Sequence, residues 1–573
     1  MGLHKLKLCL STILIFLSSC SLPQKNTEIS PFHERQDISD HLSAHVMYLI
    51  QTKNTEHAIE TYLKHHTDAS KHNFDLLHQM AMTILEQGSQ SKDPHDLLRT
   101  MFGVGIASNT QSIPILEKGL NSPSLQTQLA SINFLSQLQD DLADELLLKA
   151  LYSPFLFVRL EAAYHLASKK KGLEQISMLM HKIDEDLLPL FPKLFTMIGN
   201  ADATKQIKLL LASNNSNICL STILSIIEHH RDDFLSQIHI LSTQHSSPQQ
   251  EACALAFGAF KDSLSIQKLK NLSLSPVENV RIAAYKSLYL LGYHEYRKNL
   301  EETALKENLF AIDALADIDE SIPSLRLLSK STQIQTRINA TMALLKHRDQ
   351  NCLPGLMEIL IRDIRDLAFL PQQSPGKGMS ILKAIPSARE NLRNNPYAFD
   401  ISLNAREEIL KQAFLLPEKY FLFIAEELFQ AKQYDLIPNL VKLLENLQSS
   451  SAIALLKTYQ QNPGSPLIRD YCNLALFRLK EPGPYRSNII KWLHHHQNTE
   501  LILFRPIIPR NLHTPTSSYE LTPIETSRLL IETYSALAKN RDEKDIEALL
   551  HALNQATPKN RYTLAGLLSR AIE

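Results

Sequence analysis

Side chains able to do chemistry are plentiful in this chain, but few stand at spacings that would let them act together. Pro375-Gly376-Lys377-Gly378 has the composition of a phosphate-gripping loop. Such a loop needs an earlier glycine at fixed spacing, a Ser or Thr after the lysine and a preceding strand; these are missing, so nucleotide binding is not expected. His494-His495-His496 offers three imidazoles, yet neighbours on a helix point about 100° apart and cannot converge unaided on one ion. A solvated basic helix end is the expected role, and His65-His66 and His229-His230 read the same way. Asp317 and Asp319-Glu320 form an acidic cluster without the glycine and distal glutamate of a calcium loop. There is no Gly-x-Ser-x-Gly elbow and no other nucleophile signature. No catalytic, cofactor-binding or metal-binding residue is assigned on this basis, no cofactor is implied, and the chain is not expected to be an enzyme.

One side chain is an exception. Lys5 and Lys7 precede an apolar run from Leu8 to Leu17, broken only by Ser11 and Thr12. That run is too short to span a bilayer, which takes about 20 apolar residues, but it has the length of a signal-peptide core. It ends in Leu17-Ser18-Ser19-Cys20, which resembles the lipobox of bacterial lipoproteins: an aliphatic residue, two small residues, then cysteine. The resemblance implies that residues 1–19 are a cleaved signal, that small side chains at 18 and 19 admit the peptidase, and that the Cys20 thiol is the lipid attachment site. Two or three acyl chains of the palmitate kind anchor far better than one. Ser21 in place of Asp slightly favours the outer membrane within that group, with the protein facing the periplasm. Residues 20–40, polar and carrying Pro23 and Pro31, read as a flexible tether.

The elements behind these residues follow from composition and periodicity. Glycine is scarce at 15 in 573 residues, which argues against a β-sandwich or a dinucleotide-binding sheet. The formal net charge is −1, and removal of Lys5 and Lys7 with the signal makes it −3. No nucleic-acid partner is expected of such a chain, since a basic face supplies most of that affinity. Cys219, Cys253, Cys352 and Cys472 are widely spaced and read as buried thiols rather than a disulfide framework.

A repeat dominates the middle of the chain. Ser-Pro, an aliphatic residue, Arg, a small residue three places on and Leu seven places on recur as Ser153-Pro154, Val158-Arg159, Ala162, Leu166 and as Ser275-Pro276, Val280-Arg281, Ala284, Leu288. Ser331, Thr336-Arg337, Ala340, Leu344 is a weaker copy, and Gln128, Cys219 and Cys253 occupy the arginine slot in others. A late copy stands at Ile468-Arg469, Cys472, Leu476. The slots lie about 30 residues, or two such units, apart, with degenerate copies expected near 189 and 309; a period of this size defines a repeat architecture. Ser-Pro reads as a helix start with Ser as N-cap and Pro in the first turn. The aliphatic, small and Leu positions share one helical face. A second apolar helix completes each pair, and pairs stack at roughly 10 Å per repeat. Arg159, Arg281 and Arg337 read as structural repeat arginines that bond a carboxylate or carbonyl.

Motif and period resemble HEAT repeats, above all the short bacterial type shared with phycobilisome lyases, well over 92–370 and loosely over 399–573. That resemblance implies an all-α fold, an α-solenoid of HEAT-like helix pairs. Where the family often has an acidic residue in the turn before the helix, this chain has Ser. The dimetal hydroxylases with such repeats need four His-Glu pairs, and only His33-Glu34 and His294-Glu295 occur here; DNA glycosylases of related build need a cationic face. Both are excluded. Residues 41–91, helical but off register, are expected to be an N-terminal cap that covers the open end of the stack. Residues 371–398, with Pro371, Pro375, Gly376, Gly378, Pro386 and Pro396, read as a Pro/Gly-rich loop, and 504–523 as a second proline-rich insertion within the C-terminal helical repeats 399–573. The function expected is a membrane-tethered, non-catalytic scaffold or adaptor for protein–protein interaction in the cell envelope, its envelope partners unidentified. The alternative is a lyase-like enzyme or accessory that binds a chromophore or lipid in the solenoid groove.

Overall fold

The computed structural model describes residues 40–66, 71–243, 246–361, 368–373, 380–385, 397–504 and 521–572. The signal 1–19, Cys20 and the tether to residue 39 lie outside them, as do Pro375–Gly378 and most of the insertion 504–523. The fold is an all-α solenoid of helix pairs. It divides into two compact units, one of residues 1–166 with 456–573 and one of residues 167–455.

In the unit of residues 167–455 the first helices of successive pairs are Phe191–Ile198, Ser216–Glu228, Ser247–Ala259, Glu278–Leu290, Leu309–Leu315 and Ile334–Lys346. Helices therefore stand where the degenerate copies near 189 and 309 were expected. The repeat face is the core: Ala252, Val280 and Thr336 before the slot, Thr222, Ala256, Ala284 and Ala340 three places after it, and Ile226, Leu288 and Leu344 seven places after it are all fully buried. The small residues bring helices close. A Cβ on Gly258 would lie 2.7 Å from the Ser287 backbone, and the Ser287 hydroxyl donates to the Ala254 carbonyl at 2.7 Å.

The helix ends repeat as regularly as the core. Lys261 is left-handed (φ 52) after helix Ser247–Ala259, its N–H bonds the Gly258 carbonyl and the Asp262 N–H bonds that of Phe257, which is a Schellman arrangement. Arg348 (φ 56) does the same after Ile334–Lys346. Asp262 and Asp349 then accept the N–H two residues on, at 3.2 and 2.9 Å, and open the 3-10 turn that leads into the second helix. Eleven described non-glycine residues have positive φ, most of them Lys or Arg. Scarce glycine is thus offset by basic residues, which suit the negative end of a helix dipole.

Two boundaries differ from expectation. Within the stretch expected to be a loop over 371–398, Ala368–Gln373 pairs antiparallel with Ser380–Ile385, and helix Tyr397–Ala413 has already begun by residue 397. Two strands alone make two edges, where Pro371 is tolerated because no ladder crosses its far side. The helical stack continues past this hairpin: buried Arg406 donates to the Leu360 carbonyl and, at 2.9 Å, to the Gln433 side chain.

In the other unit the expected cap is not a free end. Helix Pro558–Ile572 packs on both Phe74–Ser89 and Pro94–Ala107, so the last described helix covers helices near the other end of the chain. Asn109 Nδ2 reaches Ser569 Oγ at 3.3 Å across 460 residues of sequence. The apolar face that a stack leaves open at its end is buried here against helices from the opposite end of the chain, a pairing that no local pattern encodes. Helix Pro523–Asn540 begins with a capping box between Thr522 and Glu525.

Candidate functional site

Three groups of side chains bear on function: the repeat slot, a histidine–glutamate cluster, and exposed apolar residues.

The slot residue closes the turn before its own helix. Arg281 Nη1 donates to the Ser275 carbonyl at 2.8 Å and Arg337 Nη1 to the Ser331 carbonyl at 2.7 Å. Gln128 Nε2 makes the same bond to the Ser122 carbonyl, also 2.7 Å. The repeat serines are not N-caps in these copies: Ser122, Ser153, Ser275 and Ser331 accept the N–H two residues on, at 3.0–3.2 Å, and the helix starts later. Ser-Pro here forms a hydroxyl-bonded turn, because the chain must reverse before it can wind. Ser465 alone of the Ser-Pro serines named here caps its helix directly, accepting from Ile468. Arg337 also forks onto Glu358 through Nε and Nη2, both 2.7 Å. Arg159 is half-buried with its Nε unbonded among the described residues. These arginines therefore do not converge on a ligand.

His66, expected on a solvated helix end, turns its side chain inward. Its ring stacks on that of His72 with centroids 3.9 Å apart and planes 15° off parallel; the side chains are 4% and 0% exposed. Helix Thr55–His65 delivers Tyr62 and His66, and helix Glu543–Asn554 delivers Glu543 and Glu547 four residues apart on one face. Tyr62 Oη accepts the Asn73 N–H at 3.1 Å and meets His72 Nδ1 at 3.0 Å. His72 Nε2 faces the Glu543 carbonyl at 3.2 Å and the carboxylate at 3.6 Å, and the His72 N–H donates to that carboxylate at 3.1 Å. His66 Nε2 lies 3.8 Å from the Glu547 carboxylate. Burial, reinforced by the neighbouring His66 ring, lowers the His72 imidazole to about 4, and burial raises the Tyr62 phenol well above its ordinary range. His72 is thus neutral at physiological pH. Among the described residues, His66, His72 and Glu543 are the one group of three whose ligand atoms could meet on a metal ion, all within 4.8 Å of one another. Sequence spacing could not show it, since the carboxylates lie more than 470 residues from the imidazoles.

The other motifs are dispersed. His495 and His496 meet edge-on, and His496 tilts against Trp492. His294 packs edge-on to Tyr289. Asp317 lies between Lys286 and Lys346, Asp319 meets His347 at 3.0 Å and Glu320 accepts from Tyr289 at 2.6 Å, so the three carboxylates turn to separate partners. Cys219, Cys253, Cys352 and Cys472 are buried and not joined to one another in disulfides. No described helix is long and apolar enough to cross a membrane.

The second helices of the pairs carry exposed apolar side chains. Leu209, Ile240 and Leu327 are each more than 60% exposed. Each lies beside buried partners, Ile207 and Leu210, Ile238 and Leu241, Leu325 and Leu328, and so occupies the same outward position of its repeat.

No protein-family profile and no curated protein matches the chain. Solved structures do. The complex of CpcE and CpcF of phycocyanin lyase from Nostoc sp. PCC7120 aligns at 14% identity over 51% of this chain and 94% of that one, with a TM-score of 0.17. Kap95p, solved with RanGDP, aligns at 10% identity over 90% and 80% of the two chains, TM-score 0.33. Kap121p bound to Pho4p aligns at 11% over 93% and 61%, TM-score 0.34. Overlaps this loose carry no argument about activity or partners; the fold rests on the helix pairs themselves.

Proposed function

We propose that this chain is a non-catalytic scaffold or adaptor that binds protein partners in the cell envelope. A lipid on Cys20 tethers it, facing the periplasm, with the outer membrane favoured. The observation that supports it most is that exposed Leu209, Ile240 and Leu327 stand at one register in three of the repeats, with Asn271 and Glu302 at that register in the two repeats between Ile240 and Leu327. Core periodicity requires the buried positions to repeat, but nothing in the packing of a monomer requires an apolar residue at this outward position, and Leu209 and Ile240 occupy it in consecutive repeats, where exposed apolar surface can join. The balanced charge fits a protein partner rather than a nucleic acid.

The test is a crosslinked pulldown from intact cells with a tagged, lipid-anchored chain. A stoichiometric envelope protein is expected, and it should be lost when Leu209, Ile240 and Leu327 are all replaced by Asp. Recovery of chaperones alone, or of the same partner with the triple variant, overturns the reading. Cys20→Ala should release a folded protein from salt-washed membranes; retention overturns the tether.

A second reading, a lyase-like or ligand-carrying accessory, draws on a cavity of about 280 Å³ in which Ile490, Leu493 and Tyr534 share the lining with Arg486, Lys544 and Glu547, near the lower size limit for small-ligand sites. It requires a chromophore or lipid that co-purifies with the chain; a clean native mass spectrum counts against it.

A further inference from the structure

We propose that His66, His72 and Glu543, with Glu547 as fourth donor, bind one divalent transition-metal ion of the zinc class. The ion would fasten the N-terminal helical hairpin to helix Glu543–Asn554.

The donor set is right for such an ion. Imidazole and carboxylate together suit zinc, cobalt and nickel better than calcium or magnesium, which take all-oxygen shells. Two neutral imidazoles and two carboxylates balance a dication, so a nearly closed site carries no net charge. Spacing is right as well. Around a tetrahedral zinc, with bonds of about 2.0–2.1 Å, adjacent donors stand roughly 3.3 Å apart. His72 Nε2 and the Glu543 oxygen are 3.6 Å apart, His66 Nε2 and the Glu547 oxygen 3.8 Å, and the His66, His72 and Glu543 ligand atoms all fall within 4.8 Å. The carboxylate side chains must turn to bring all four donors to that spacing, Glu547 the furthest, since it lies 3.8 Å from His66 but outside the group of three.

A supporting shell is built in. The Tyr62 hydroxyl sits on His72 Nδ1 at 3.0 Å and is itself held by the Asn73 N–H. Metal binding would put the ring proton on Nδ1, with Tyr62 accepting it, and exchange the 3.2 Å contact of His72 Nε2 with the Glu543 carbonyl for the ion, which is the arrangement that orients metal-binding histidines. The path for entry is on the glutamate side: Glu543 and Glu547 are 41% and 32% exposed while both imidazoles are buried. A helix pair joined to its partner only through contacts between distant ends of the chain is where a metal crosslink adds most, since it closes a very long loop.

The experiment uses the full chain, freed of metal with a chelator and titrated with Co²⁺ alone by visible absorption and with Zn²⁺ alone by calorimetry. One tight equivalent is expected, with the intense visible bands of four-coordinate cobalt and an upward shift in Tm. The Glu543→Gln, Glu547→Gln double variant removes only partly exposed ligands and is checked for folding by circular dichroism; its affinity should fall at least about 10-fold. His66→Gln is the second variant and should lose the cobalt bands. Absence of a stoichiometric site in the wild-type chain overturns the proposal. So does equal binding by wild type and variants, which would assign the ion to surface histidines such as His494 and His495.

Discussion

Gly566 and Gly103 lie back to back: a Cβ on Gly566 would sit 2.0 Å from the Gly103 carbonyl oxygen, and one on Gly103 would sit 2.2 Å from that of Tyr562. Two helices separated by more than 450 residues therefore touch backbone to backbone. On an open helix face Gly→Ala would stabilise by about 1 kcal/mol through propensity. At Gly566 the contact is with backbone that cannot swing away, so Gly566→Ala is expected to destabilise by on the order of 2 kcal/mol. Urea unfolding decides this by sign alone. Hydrogen exchange should also show that helices Phe74–Ser89 and Pro94–Ala107 lose protection in the variant.

The slot arginines should act in proportion to their bonds. Arg337→Gln keeps an amide able to reach the Ser331 carbonyl, as Gln128 reaches Ser122, but gives up the fork onto Glu358. Arg337→Ala loses both. A loss of about 1 kcal/mol for Gln and about 2 for Ala is expected from the usual worth of charged hydrogen bonds. Equal losses in thermal melts would show that turn closure contributes nothing.

Lys261 is exposed and left-handed at a Schellman end. That conformation costs a residue with a Cβ roughly 1–2 kcal/mol, partly regained by its lower entropy in the unfolded chain. Lys261→Gly should therefore stabilise by up to about 1 kcal/mol, and the same change at exposed Lys208 within helix Ala201–Leu211 would not. Lowered stability in denaturant titrations would contradict the strain argument.

Asp317 supplies a pH dependence. Burial would raise its carboxyl, but Lys286 at 2.5 Å and Lys346 outweigh burial and hold it well below the ordinary range. A carboxylate with a depressed folded pKa stabilises fully above its unfolded value near 3.9 and loses that contribution as pH falls toward the folded value. The Lys286→Met chain should thus be less stable than wild type at pH 7, between the roughly 0–1 kcal/mol of an exposed pair and the 3–5 of a buried one. The gap should narrow below pH 4. A difference that stays constant from pH 7 to pH 3 would remove Asp317 from the account.

Local sequence was enough for the helix pairs, because a buried stripe at helical spacing and a small residue at one fixed place recur whatever lies elsewhere in the chain. Val280, Ala284 and Leu288 are the core residues their spacing marks them to be. The role of the serines was legible only as a turn; which N–H the hydroxyl accepts depends on where the helix begins, and that is settled by the slot side chain folding back six residues. His66 carried no signal that could separate it from His65 or from the run His494–His496. Its inward turn, its stack on His72 and its approach to Glu543 arise because helix Glu543–Asn554 returns from the far end of the chain. The same return turns residues 41–91 from a cap into one side of an interface, and glycines 103 and 566 from ordinary helix residues into a point of contact. Periodicity along a chain encodes what each helix buries; which distant helix buries it is a property of shape and close packing, and that was decided only in three dimensions.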